Sequence, residues 1–149
     1  MNAAFADPLL LLGAVAGVAG LLTVTVWTGV RGARRAHFAS LAVVVPAFGF
    51  TLFVAESVGR AYRFAERAFA VHMVFAWLAT GLLLAALGSG FVRLARPTQR
   101  RLHRWCVGAF LAALLLAVGT GLWMMSTGER RTPADASPPV AALAAPGGR

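Results

Sequence analysis

The sequence is poor in the residues that build disulfides, metal clusters and charged catalytic sites. It has one cysteine, Cys106, no lysine and only five acidic residues among 149. A single cysteine cannot form an internal disulfide, and the chain has no CxxC pair for a redox or zinc site. No glycine-rich phosphate loop, paired carboxylates or serine–histidine–aspartate order stands out. The prediction is a protein that is not an enzyme.

Apolar residues are abundant: 59% of the chain is hydrophobic, and the mean hydropathy is +0.74. They fall in four blocks, at about residues 9–30, 38–58, 69–92 and 105–126. Each block has the length of roughly 20 residues that crosses a membrane as a helix, and none shows the alternation of a barrel strand. We therefore predict an all-α fold, a four-transmembrane-helix bundle over residues 1–126. Residues 127–149, rich in proline, alanine and glycine without periodicity, are predicted to be disordered.

The arginines are distributed unevenly along the chain. Eight of the 14 lie between helices 1 and 2 or between helices 3 and 4, where they would share one side of a membrane. The positive-inside rule places that side in the cytoplasm and both termini outside. These arginines are interpreted as a topology signal with anionic-lipid contact rather than as a nucleic-acid interface. The predicted location is the bacterial inner membrane, as a multi-pass protein.

Stripes of small residues predict which helix faces are buried, because close packing in lipid depends on small side chains. Helix 1 carries Gly13 and Gly17 in GxxxG spacing, followed by Gly20. The stripe on helix 3 is His72, Ala76, Ala79, Leu83, Ala86 and Gly90. The stripe on helix 4 is Cys106, Ala109, Ala113, Ala117, Thr120 and Met124.

The reactive side chains sort by depth into two groups. His37 and His103 lie near the cytoplasmic ends of helices 2 and 4 and could bind haem or copper. His72, with Met124 and Glu56, lies near the outer face and would suit a soft ion such as Cu(I). About 30 Å of helix separates the two groups, which excludes a site made by all three histidines. The alternatives that remain open are histidines acting only as struts between helices, and Glu56 paired with the arginine four residues later.

Three segments resemble a known family. These are “RGARRAH” before helix 2, “FAVHMVFA” at the start of helix 3, and “RRLHRWCVGAF” continuing to “VGTGLWMM” in helix 4. Together they resemble small bacterial membrane proteins that include the CtaM/YozB-type factors for maturation of haem-copper cytochrome oxidase. The resemblance implies four or five helices, and it implies a role in oxidase assembly through haem or copper handling. His37, His72 and His103 match the histidine-bearing positions of that family.

Three functions follow as hypotheses. The first is a non-enzymatic accessory or assembly factor for a respiratory haem-copper oxidase, with an oxidase subunit as partner. The second is a small b-type cytochrome that carries electrons. The third is a structural membrane subunit whose histidines take no part in chemistry.

Overall fold

The computed structural model describes residues 5–132 and confirms the all-α fold. Its four long helices are α1 (Pro8–Val30), α2 (Arg34–Ala61), α3 (Glu66–Ala95) and α4 (Arg100–Ser126). A short 3-10 helix (Pro97–Gln99) precedes α4, and β1 (Tyr62–Arg63) pairs with β2 (Glu129–Arg130) in a two-stranded sheet. All four long helices are apolar enough to cross a membrane, so the chain is a multi-pass membrane protein. Strand β2 lies inside the segment predicted to be disordered, residues 127–149, of which residues 133–149 lie outside the described residues.

The helices extend beyond the apolar blocks that predict them. Asp7 caps the beginning of α1, because its carboxylate accepts a hydrogen bond of 2.8 Å from the main-chain N–H of Leu9. Helices α2 and α4 begin at Arg34 and Arg100, inside the arginine-rich segments. Hydropathy marks only the part of a helix that lies in lipid, whereas arginine is itself a good helix former. His37 therefore lies inside the first turn of α2 rather than ahead of it.

Helices α1 and α2 form one hairpin of the chain. The turn between them contains Gly32, whose φ of +72° is the left-handed conformation that glycine adopts without strain. The buried side chains of α1 are Val18, Thr25 and Thr28. The GxxxG face is not the one that packs within this hairpin: Gly13 and Gly17 are exposed, and a Cβ at either would meet nothing within 4 Å. Helix α2 packs on a different face, to which the threonines contribute.

Helices α3 and α4 form the second hairpin. Its core is a cluster of three alanines, Ala79, Ala113 and Ala117, with Phe75 and Leu82 packed against it. Small side chains allow the two helix backbones to approach closely. Both predicted stripes are confirmed at these alanines, as well as at Ala86 and Met124.

One position of the predicted stripe on α4 is wrong. Ala109 is exposed, and its neighbour Phe110 is only 3% exposed. The buried face passes from Cys106 to Phe110 in a step of four residues, whereas the prediction took a step of three. Both steps keep a helix face continuous, so the small size of alanine was a misleading criterion here.

Candidate functional site

His37 connects the two helices of the first hairpin. Its Nδ1 lies 2.9 Å from the main-chain carbonyl oxygen of Thr25 on α1. The imidazole ring passes over Gly29, where a Cβ would lie only 3.1 Å from ring atoms. The hydroxyl of Thr28 shares its proton between the Val24 carbonyl at 2.9 Å and the same Thr25 carbonyl at 3.0 Å. The ring can take this position because the residue that it covers has no side chain.

His72 repeats the arrangement in the second hairpin. Its Nδ1 lies 3.1 Å from the carbonyl oxygen of Ala117 on α4 and 3.5 Å from the hydroxyl of Thr120. The ring covers Gly121, where a Cβ would lie 3.2 Å away. The Thr120 hydroxyl donates to the Leu116 carbonyl at 2.7 Å and lies 3.2 Å from the Ala117 carbonyl, so it faces two carbonyls of its own helix as Thr28 does in the first hairpin.

His103 makes a similar contact, in which a serine lies between the imidazole and the main-chain carbonyl. Its Nδ1 lies 3.0 Å from the Ser89 hydroxyl on α3, and that hydroxyl donates to the carbonyl of Ala86 at 2.8 Å. The ring lies beside Gly90, but here a Cβ would be at an ordinary contact distance of 3.5 Å. The serine therefore relays the hydrogen bond that His37 and His72 make directly to a carbonyl.

The three sites share one local pattern in the opposing helix. A glycine lies under the imidazole, a serine or threonine precedes the glycine, and the carbonyl that accepts is four residues before the glycine. The pattern occurs in three sequence segments: “TVWTG” from Thr25, “ALGSG” from Ala86 and “AVGTG” from Ala117. We term each histidine together with its opposing segment a histidine clasp. Every histidine of the chain belongs to one clasp.

The hydrogen bonds determine which ring nitrogen carries the proton. A main-chain carbonyl can only accept, so Nδ1 of His37 and of His72 must be the donor in the neutral ring. In the third clasp the Ser89 hydroxyl already donates to a carbonyl, so it accepts from Nδ1 of His103. For His37 and His72, Nε2 makes no hydrogen bond within residues 5–132. This tautomer is the one in which Nε2 can bind a metal ion.

The clasps of the second hairpin lie at opposite ends of it. The same number of residues separates His72 from His103 as separates Gly90 from Gly121, so one antiparallel register forms both. Between the contacts on α3, from His72 to Ser89, lie about 26 Å of helix. His72 and His103 therefore cannot share a metal ion or a haem iron, which confirms their predicted separation. His37 belongs to the other unit, so its pairing with His103 stays a prediction.

The residues predicted to bind metal with His72 have other contacts. Glu56 forms an ion pair with Arg60 one turn later on α2, as the sequence spacing predicts. Met124 is buried on α4. Across residues 5–132 no three histidine, cysteine, aspartate or glutamate side chains are grouped closely enough to hold a metal ion. A copper site at His72 stays a prediction.

Sequence reasoning missed the histidine clasps, although it placed Gly90 and Thr120 on buried stripes. The signal that could have found them is the serine/threonine–glycine step. Five such steps occur in the chain, and three of them oppose a histidine. The remaining two steps show why the dipeptide alone is insufficient: Gly81 has open space around it, and Gly128 lies under the ring of Phe64.

Comparison with known proteins returned no match to any protein-family model, curated protein or solved structure. The resemblance to oxidase maturation factors therefore stays a prediction.

Proposed function

We propose that this chain is a non-enzymatic accessory factor of the bacterial inner membrane, with both termini outside, that acts by binding another membrane protein. The single observation that carries the proposal is the open glycine face of α1. Gly13, Gly17 and Gly20 follow one another along the helix, and each has room for a further group. GxxxG faces associate with other helices because their backbones can approach closely.

The histidine clasps support the same proposal. A hairpin that keeps a fixed geometry presents its open helix face to a partner in one orientation. In the first hairpin, His37 ties α2 to the Thr25–Gly29 segment, which turns the glycine face away from α2. The hairpin thus holds its helices with threonines and a histidine, and it leaves its smallest residues uncovered.

A respiratory haem-copper oxidase is the partner that we propose, on the basis of the family resemblance. The test is deletion of the gene in its native host, followed by reduced-minus-oxidised difference spectra of the membranes. We expect the deletion to lower the assembled oxidase several-fold and the unaltered gene to restore it. The double variant Gly13→Leu/Gly17→Leu should accumulate normally and fail to restore the oxidase.

The matched control is Gly81→Leu/Gly119→Leu, on α3 and α4, since a Cβ at either of these glycines would also meet nothing within 4 Å. This control should restore the oxidase. Unchanged oxidase in the deletion strain would overturn the oxidase as partner. Restoration by the α1 variant at normal protein level would overturn the glycine face as the binding surface.

A small b-type cytochrome or a metal carrier is the second candidate. This candidate is favoured by the Nε2 atoms of His37 and His72. Each carries a lone pair, and neither makes a hydrogen bond among residues 5–132. In metal-binding histidines the other nitrogen commonly donates to a carbonyl, which fixes the ring orientation. Haem and copper are the two groups whose chemistry suits such a nitrogen.

The test of this second candidate is an optical spectrum of the protein purified in mild detergent, oxidised and reduced, with metal analysis of the same sample. A Soret band that His37→Ala or His103→Ala abolishes would identify a cytochrome. Copper that His72→Ala abolishes would identify a carrier. A colourless, metal-free protein from cells supplied with haem and copper would contradict both.

A further inference from the structure

An open groove of about 700 Å³ lies at the beginning of α4, within the second hairpin. It is lined by Thr98, Arg100, Arg101, Arg104, Trp105 and Gly108. None of the three arginines has an acidic partner among residues 5–132. The segment from Arg93 to Arg104 contains five arginines and no acidic residue. The groove thus concentrates positive charge without a counter-ion from its surroundings.

The chemistry of this lining fits a phosphate group. Guanidinium groups form paired, charge-assisted hydrogen bonds with phosphate oxygens, and one of them already balances the single negative charge of a phosphodiester. The Thr98 hydroxyl adds a neutral donor at the same groove.

The position of the groove favours a lipid as the source of that phosphate. Helix α4 is long and apolar enough to span a membrane, and Arg100 is its first residue. The arginines therefore lie where lipid headgroups lie. Trp105 is 70% exposed, one turn further toward the apolar part, as expected for a tryptophan at the interface.

The same face of α4 continues as an apolar surface. From Gly108 it passes through Ala112 to Leu115, all of them exposed, with Leu115 at 73%. A ligand that lies along this face is therefore anionic at one end and apolar at the other. A soluble phosphate would use only the arginine end.

We propose that this groove is a binding site for an anionic phospholipid. The phosphate contacts Arg100, Arg101 and Arg104, the glycerol region packs beside Trp105, and an acyl chain follows α4 past Gly108. The site is independent of the function proposed above, because it uses neither the glycine face of α1 nor a histidine.

The test uses Trp105 as a reporter, in a chain with phenylalanine at Trp27, Trp77 and Trp123. The protein is reconstituted in bilayers of brominated phosphatidylcholine mixed with unbrominated phosphatidylglycerol. The brominated lipid quenches the fluorescence of Trp105, and phosphatidylglycerol relieves the quenching where it takes its place. The extent of relief gives the binding constant of phosphatidylglycerol relative to phosphatidylcholine at Trp105. Each basic residue near a membrane contributes roughly fivefold in attraction to anionic lipid. We expect a preference of about tenfold or more for phosphatidylglycerol.

A matched pair of charge variants locates the site. Arg100→Gln/Arg101→Gln/Arg104→Gln should reduce the preference to about one. Arg31→Gln/Arg34→Gln/Arg35→Gln removes the same charge from the α1–α2 segment and should leave the preference unchanged. Circular dichroism checks the helical content of both. If the α4 triple variant loses helix, Arg104→Gln alone replaces it, with an expected loss of several-fold.

Three results would overturn the proposal. The first is equal binding of the two lipids by the reporter protein, a result that can be obtained without any charge variant. The second is an equal loss of preference in the two triple variants, which would indicate a general charge effect. The third is displacement of phosphatidylglycerol by millimolar inorganic phosphate, which would indicate a site for a soluble anion.

Discussion

The first hairpin is fastened by a histidine at its loop end and by aromatic rings at its other end, whereas the second has a histidine at both ends. At the open end of the first hairpin, Phe5 lies edge-on to Phe50 and Phe53, with ring centroids 6.4 and 5.4 Å apart. At the open end of the second, His72 is bound to the Ala117–Gly121 segment. Aromatic contacts tolerate sliding, but a hydrogen bond to one carbonyl specifies one register.

The two hairpins also differ in the residues that they bury. Helix α1 buries Val18, Thr25 and Thr28, β-branched residues whose side chains have few rotamers. The second hairpin buries the alanines Ala79, Ala113 and Ala117. Close alanine packing with two clasps defines one register over a long contact. The first hairpin depends more on its single clasp, and this difference can be tested by substituting the glycines under the rings.

The largest effect is expected at Gly29. In Gly29→Val the new Cβ would lie 3.1 Å from the His37 ring, and no second histidine holds this hairpin. Forcing extra carbons into a packed site costs about 1–3 kcal/mol, and we expect the upper part of that range. The measurement is the free energy of unfolding in mixed micelles with increasing SDS. The control Gly20→Val lies on the same helix with open space around it; an equal loss there would contradict the clasp.

A smaller effect is expected at Gly121. In Gly121→Ala the added methyl would lie 3.2 Å from the His72 ring, but the clasp at His103 still holds the register. We expect a loss of about 1–2 kcal/mol in the same unfolding assay. Gly119→Ala, two residues earlier with nothing within 4 Å, is the control. Identical stabilities of these two variants would show that the ring does not cover Gly121.

Removal of the His72 ring itself should have a moderate effect that depends on the glycine. His72→Ala loses one hydrogen bond between helices, worth about 0.6–1.7 kcal/mol in membrane proteins. In the His72→Ala background, Gly121→Ala should no longer destabilise, because the methyl then occupies the space of the ring. A double-mutant cycle measures this coupling. Additive losses would mean that the two residues do not contact each other.

The smallest effect is expected at Gly90. A Cβ there would lie 3.5 Å from the His103 ring, an ordinary contact, so Gly90→Ala requires no displacement. The substitution also improves helix propensity by up to about 1 kcal/mol. Stability in the same assay should be unchanged or slightly higher. A loss as large as that of Gly121→Ala would contradict the difference between the direct and the serine-relayed clasp.

The sequence was sufficient to predict the four helices and much of the face that is buried between α3 and α4. Continuous apolar blocks require helices in lipid, and stripes of alanine correctly marked the α3–α4 contact. The clasps could not be predicted, because which residue lies opposite His37 depends on the register across the α1–α2 turn. Periodicity within one helix does not contain that register. The glycines of α1 show the same limit: their spacing predicts a packing face without saying which helix packs there.

The most direct test of the clasps is the protonation site of each imidazole. The measurement is ¹⁵N NMR of the protein with ring-labelled histidine in bicelles, under conditions where the rings are neutral. All three rings should carry the proton on Nδ1 and a lone pair on Nε2, and His37→Ala, His72→Ala and His103→Ala assign the signals. Rings protonated on Nε2 would leave their Nδ1 atoms without a proton to donate, and the histidine clasp would be contradicted.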